Sequence, residues 1–270
     1  MDIFGDRMKE YESKEASRKF IPLLPIIVRL DGKNFSKWTR GLVRPYDIRL
    51  SNIMANVTRK LVKETNALVG YTQSDEISLI LYSDNYKSQV YFDGRIMKIN
   101  SSLASIASVT FNGLVEDNIP ERSNFSAYFD CRCWQVPNSE EAVNSILWRE
   151  IDATKNSVSM AARHYYSHND ILDKGRADMM DMLMEKGVNW NDYPAFFKRG
   201  VFIQRKKIKR KFTCEEIKKL PEKHEARINP DLEIERTDFV MLDMPPFAKV
   251  INRVGVIFNG HNPIVDEKGE

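Results

Sequence analysis

Residues 70–83 read GYTQSDEISLILYS, and two adjacent carboxylates, Asp75 and Glu76, sit there between two strand-like runs. Leu68, Val69, Tyr71 and Thr72 lie on one side, and Ile77, Leu79, Ile80, Leu81 and Tyr82 on the other. These are the β-branched, aliphatic and aromatic types that suit a pleated, half-buried surface. The stretch predicts a hairpin whose turn is Gln73-Ser74-Asp75-Glu76, since short polar side chains hydrogen-bond nearby backbone in turns. A turn is sufficient to explain one such pair. A second acidic residue ending another strand changes the reading.

That residue is Asp31. Residues 25–30, PIIVRL, form a short apolar run stopped by Asp31-Gly32, a strand followed by a turn. Leu50, Ile53, Met54, Val57 and Leu61 recur at helical spacing and predict an amphipathic helix over residues 47–65. Ile96, Ile99, Leu103 and Ile106 mark a second helix after the hairpin, and FSAYFDCRCWQV from Phe125 alternates like a strand. The order β-α-β-β-α-β predicts an α+β fold of the ferredoxin-like, polymerase-palm-like kind, an antiparallel sheet with two helices on one face. In that topology the first and third strands pair at the centre of the sheet. Asp31 and Asp75 then converge on one sheet end although they are far apart in sequence.

Downstream, Ser139-Glu140-Glu141 looks like a helix start, and apolar spacing carries that helix to about Tyr166. Another helix is expected over residues 169–186, stopping at Gly187. Residues 198–211, KRGVFIQRKKIKRK, hold eight Lys or Arg among fourteen residues. Lys198, Arg199, Arg205, Lys206, Lys207 and Lys209 read either as an electrostatic footprint for phosphate-rich partners or as a solvated ribbon edge. The expected organisation is a palm-like catalytic core over residues 1–137 and a helical, basic extension over 138–270 packed on it.

The 270 residues, 42% hydrophobic, suffice for a substantial core. Cys131, Cys133 and Cys214 make neither a CxxC pair nor an even disulfide framework, and are read as reduced thiols of a cytoplasmic protein. The charged N-terminus lacks a signal-peptide apolar region, and no stretch has the length to span a bilayer, so no membrane association is expected.

Two carboxylates at a sheet end suit magnesium, which prefers oxygen ligands and commonly takes one or two carboxylates besides substrate phosphates. Gly32 fits the same site, because a residue without a side chain lets its backbone approach a metal or phosphate closely.

The strings IIVRLDGKNFSKWTRG, RPYD, GYTQSDEISLIL, WREIDATKNSVSM and NWNDYPAFFKRG, in this order over residues 1–201, resemble the tRNA-His guanylyltransferase family. Specifically, they are similar to its bacterial-type, guanylyltransferase-like branch of 3′-to-5′ RNA polymerases. The resemblance implies an enzyme that activates an RNA 5′-monophosphate with ATP and then adds GTP or another nucleotide through that nucleotide's 3′-hydroxyl. It implies that Asp31 and Asp75, with the Gly32 carbonyl, hold two magnesium ions, and that Glu76 supports them. It implies nucleotide contacts from Lys33, Asn34, Phe35, Ser36 and Ser74, triphosphate contacts from Arg29 and Lys98, and contact between Arg44 and the activating ATP. Asp152 and Asn156 match polar positions of the family's long-helix motif. The implied partners are tRNA and nucleoside triphosphates, and the implied assembly is a homotetramer through helices within residues 139–186.

One departure matters. Members dedicated to tRNA-His carry His-Ile-Asn-Asn-Leu-Tyr-Asn on the long helix, whereas this chain has TKNSVSM at residues 154–160 and keeps only the first asparagine, Asn156. The expectation is therefore template-directed repair of 5′-truncated tRNAs, with dedicated addition of G to tRNA-His as the alternative. A palm-type nucleotidyl cyclase and a non-catalytic tRNA-binding protein stay open as remoter readings. The cyclase has no use for the basic segment, and the binding protein has no use for the acidic pair.

Overall fold

The computed structural model describes residues 3–229 and 231–266; the outermost residues of the two expected units, 1–2 and 267–270, lie outside the described residues. The chain runs α1 (Ile3–Ala16), β1 (Ile26–Gly32), α2 (Phe35–Trp38), α3 (Ile48–Thr65), β2 (Val69–Gln73), β3 (Glu76–Leu81), α4 (Ile96–Asn118), β4 (Phe129–Gln135) and α5 (Ser139–Tyr165). It continues through α6 (His168–Ile171), α7 (Arg176–Glu185), α8 (Ala195–Arg199), β5 (Val201–Lys211), α9 (Cys214–Lys219), α10 (Glu225–Ile228), β6 (Glu233–Leu242) and α11 (Arg253–Asn259).

The first four strands form the expected unit. β1 pairs antiparallel with β3 in the register Asp31↔Glu76, and β2 and β3 form the hairpin in the register Gln73↔Glu76. Ser74 and Asp75 alone make its turn, with Ser74 left-handed at φ 50°. The sheet is wider than expected, with the order β4-β1-β3-β2-β5-β6. The basic segment is β5, whose first residues pair with β2 while its outer half forms a two-stranded ribbon with β6. It is therefore an internal strand at one end and a ribbon at the other.

Both sheet faces are covered, where the sequence suggested helices on one. Alternation sends Ile26, Val28, Leu30, Ile77 and Leu79 against Ile53, Val57 and Leu61 of α3 and Leu103, Ala107 and Phe111 of α4. On the opposite face Ile27, Val69, Tyr71, Ile80 and Phe202 pack with Ala142, Val143 and Ile146 of α5 and Val256 and Ile257 of α11. Cys131 and Cys133 share the first face, and burial pushes both thiols up, Cys133 to about 11.

The helix expected over 169–186 is broken. Asp173 turns left-handed at φ 63° between α6 and α7, and Gly187, at φ 73°, ends the second piece as expected. No described helix is long and apolar enough to cross a membrane.

Candidate active site

The face toward α5 is apolar only along part of its length. Arg29 and Asp31 lie two and four residues beyond Ile27 on the same side of β1, and Glu76 lies four before Ile80 on β3, so the sheet end is charged. α5 changes character in parallel. Its first turns bury Ala142, Val143 and Ile146, and the same face then brings Arg149, Asp152 and Asn156 over the charged sheet end.

The centre is a buried ion network. Arg149 Nε donates to Glu76 Oε1 at 2.5 Å and its Nη2 donates to Oε2 at 2.7 Å, a bidentate pair. Arg29 Nη2 also reaches Glu76 Oε2 at 2.7 Å and lies 3.9 Å from Asp31 Oδ1. Arg149 Nη2 further donates to Asp152 Oδ2 at 3.0 Å, and Asn156 Nδ2 donates to the same oxygen at 3.3 Å. Glu76 is thus held by two guanidinium groups.

Asp31 and Asp75 meet at the edge of this network. The Gly32 amide donates to the Asp75 carbonyl at 3.1 Å, tying the end of β1 to the hairpin turn. Burial pushes the Asp75 carboxyl up to about 6, and repulsion from Asp31 adds to the rise. Gly32 has a packing reason as well: a Cβ there would fall 2.2 Å from the Phe35 ring. That ring is held by Trp38, Phe111 and Phe129, each with its centroid 5.3 Å away.

Two adjoining cavities open here. One, of about 410 Å³, is lined by Arg29, Asp31, Glu76, Arg149, Asp152 and Asn156. The other, of about 530 Å³, is lined by Gly32, Asn34, Phe35, Ser36 and Arg44. Ser74, Asp75, Met160 and Arg163 line both. The RPYD loop is fixed from two sides. Asp47 caps α3, accepting from the Arg49 amide at 3.0 Å, while the Tyr46 ring packs 4.9 Å from Phe197 and 5.2 Å from Phe196. The string NWNDYPAFFKRG thus carries the aromatic seat of that loop.

Two expected contacts are not brought to the cleft. Lys98 sits in the first turn of α4, with Nζ 5.9 Å from the Phe92 ring centroid. Phe111, which meets Phe35 near the cleft, is thirteen residues further along the helix, a rise of about 20 Å. Lys33 is exposed and outside the lining of both cavities, and among the described residues only its amide is engaged, on the Tyr128 carbonyl.

The basic residues are more engaged than their density suggests. Lys198 Nζ donates to the Asn191 carbonyl and lies over the Trp190 ring, and Arg199 Nε is 4.0 Å from the buried Glu150 carboxylate. Arg205 holds Asn66 at 2.7 Å and Lys207 holds Glu235 at 3.1 Å. The two-residue period puts Arg205, Lys207 and Lys209 on one face and Lys206 on the other, with Asp238 opposite Lys206 and Glu235 opposite Lys209.

Sequence reasoning missed Arg149 and Arg163. Arg149 was visible inside WREIDATKNSVSM as a charge at a helix position whose spacing from Val143 and Ile146 marks the buried face.

Comparison with known proteins identifies the family of the chain. The family model for tRNAHis guanylyltransferase matches residues 5–137. An uncharacterised protein of Acanthamoeba polyphaga mimivirus is 33% identical over 228 residues, covering 76% of this chain and 78% of that protein. The tRNA(His) guanylyltransferase of Debaryomyces hansenii is 28% identical over 220 residues, 74% of this chain and 80% of the enzyme. Among solved structures, a bacterial tRNA(His) guanylyltransferase (Thg1)-like protein in complex with ATP superposes with TM-score 0.71 at 37% identity, covering 74% of this chain and 87% of that one. One in complex with GTP gives TM-score 0.71 at 29% identity, covering 92% and 95%. The chain belongs to the tRNA(His) guanylyltransferase family and is a nucleotidyltransferase.

Proposed function

We propose that the protein adds nucleotides in the 3′-to-5′ direction to the 5′ end of tRNA, repairing truncated ends under the direction of the opposite acceptor strand. The observation that carries this reading is the placement of Asp75 at the seam of two cavities, one walled by Gly32, Asn34, Phe35, Ser36 and Arg44, the other by Asp31 and the α5 motif. Two nucleotide-sized spaces beside one acidic pair suit two consecutive transfers. In the first, an oxygen of the RNA 5′-monophosphate attacks the α-phosphorus of ATP and pyrophosphate leaves. In the second, the 3′-hydroxyl of the incoming nucleoside triphosphate attacks the 5′-phosphorus of the RNA and AMP leaves. The relatives solved with ATP and with GTP support both nucleotides as substrates.

The donor set fits magnesium. Asp31, Asp75 and the Gly32 carbonyl are oxygen donors beside room for phosphates, and the buried Asp75 carboxyl, raised chiefly by burial and further by Asp31, is one that a bound cation would stabilise in its charged form. When bound, two such ions neutralise charge on the leaving pyrophosphate and polarise the attacking hydroxyl. The chain's own groups do the positioning. Arg29 and Arg149 hold Glu76 and Asp152 closely, while Asp31 meets Arg29 only at 3.9 Å, so Asp31 and Asp75 are the carboxylates with room for cations. The long-helix stretch TKNSVSM keeps Asn156, exposed and bonded along the helix to Asp152, and departs from the tRNA-His pattern after it, which favours general repair. In this reading residues 1–137 carry the chemistry, residues 138–270 supply α5 and the ribbon that meets RNA phosphates, and the protein works as a cytoplasmic homotetramer.

The test is nucleotide addition by Asp31→Ala and Asp75→Ala variants. Both should lose addition by about a thousandfold or more while keeping tRNA affinity, in line with removing the main charge-stabilising groups of a transfer site. Full activity in either variant refutes the assignment.

A further inference from the structure

The cavity beside α5 is lined by four carboxylates, Asp31, Asp75, Glu76 and Asp152, and three guanidinium groups, Arg29, Arg149 and Arg163. Two of the three are committed. Arg149 bridges Glu76 and Asp152, and Arg29 reaches Glu76. A cation already bound to carboxylates neutralises them and has less to offer a nucleotide. Arg163 differs. It is exposed, it makes no ion pair or hydrogen bond among the described residues, and it lines both cavities. It lies two turns beyond Asn156 on α5, so the helix face that carries the paired groups ends in an unpaired one at the seam.

From this placement we infer that Arg163 is a phosphate-binding residue shared by both transfers, gripping the triphosphate of the activating ATP in one step and of the incoming nucleotide in the next. This rests on the nucleotidyl-transfer reading above. A planar guanidinium suits the task, because it donates two parallel hydrogen bonds to phosphate oxygens where an ammonium acts as a point charge. The position suits it too. The two cavities share Asp75 and Arg163, so a nucleotide in either one has that guanidinium in its wall, beside the carboxylate that would hold a cation. Lys98 lines neither cavity.

The experiment compares wild type, Arg163→Ala and Arg163→Lys in three arms. The first is calorimetric binding of a non-hydrolysable ATP analogue. The second is adenylylation of a 5′-monophosphorylated RNA against ATP concentration. The third is extension of a 5′-triphosphorylated RNA, which carries its own leaving pyrophosphate and needs no activation, against nucleotide concentration. Arg163→Ala should raise the dissociation constant and the KM of both reactions by about tenfold or more, the loss expected for charge-assisted hydrogen bonds. RNA affinity and thermal stability should hold, because the side chain is exposed, and Arg163→Lys should recover part of the loss. Values within about twofold of wild type in all three arms overturn the inference. A loss confined to one reaction overturns the shared role, and a loss of RNA affinity with unchanged nucleotide KM assigns Arg163 to the RNA instead. A wild-type chain that performs no transfer defeats the reading of the site, and the binding arm then decides Arg163 by itself.

Discussion

Arg149 and Glu76 are joined by two hydrogen bonds, Nε to Oε1 at 2.5 Å and Nη2 to Oε2 at 2.7 Å, at side chains 7% and 5% exposed. Seventy-three residues apart in sequence, they fasten α5 to the hairpin whose turn carries Asp75. Removing Arg149 leaves Glu76 with Arg29 as its remaining guanidinium partner and Asp152 with none among the described residues. Arg149→Ala should therefore cost about 2–3 kcal/mol in urea unfolding, less than a wholly uncompensated buried charge would. A loss below about 1 kcal/mol would mean that the pair does not hold the two elements together.

Asp75 predicts a stability that depends on pH. Burial, with repulsion from Asp31 adding to it, raises its carboxyl from 3.8 to about 6 in the folded chain. The folded state thus holds its proton more tightly than the unfolded state, and its ionised form destabilises the fold above about pH 6 and no longer below about pH 4. Without divalent cations, Asp75→Asn should melt higher than wild type at about pH 7.5 and at the same temperature near pH 4. Magnesium should raise the melting temperature of wild type and not of Asp75→Asn. A lower melting point for Asp75→Asn at neutral pH would contradict this.

Gly32 predicts a steric result. A Cβ would fall 2.2–2.7 Å from three atoms of the Phe35 ring, which Trp38, Phe111 and Phe129 keep in place. Gly32→Ala should cost about 1–3 kcal/mol and disturb the turn beside Asp31. Adding Phe35→Leu should recover part of that loss, since a smaller side chain relieves the overlap. Equal stability of wild type and Gly32→Ala, measured by thermal unfolding, would refute the close packing.

The ribbon predicts unequal lysines. Lys207 is paired with Glu235, whereas Lys206 and Lys209 form no ion pair among the described residues. Reversing Lys206 and Lys209 to Glu should weaken tRNA binding and flatten its dependence on salt more than reversing Lys207. An unchanged salt slope in both variants would make the segment a solvated ribbon.

The hairpin, the first strand and the two core helices were legible because their apolar residues follow the periods of strand and helix, and that order fixed where Asp31 and Asp75 meet. The rest failed for physical reasons. β5 mixes a buried half, Phe202 to Gln204, with a charged half, so its charge masked its place beside β2. Lys98 lies off the apolar stripe of α4, but a helix face carries no information about which end of the sheet it serves. Arg149 escaped notice because the rule that buried helix faces are apolar yields where the opposite strand presents a carboxylate. The break at Asp173 interrupts a segment whose polar and apolar residues follow helical order on both sides.

The central claim is that one acidic pair serves templated 5′ addition. Its most direct test is incorporation of labelled nucleotides, with ATP and magnesium, onto two 5′-monophosphorylated tRNAs: one lacking its first acceptor nucleotide, with each opposite base in turn, and one full-length tRNA-His. The account predicts addition to the truncated tRNA that follows the opposite base and is lost in Asp75→Ala. Addition of G alone to tRNA-His, or no addition to either RNA, would contradict it.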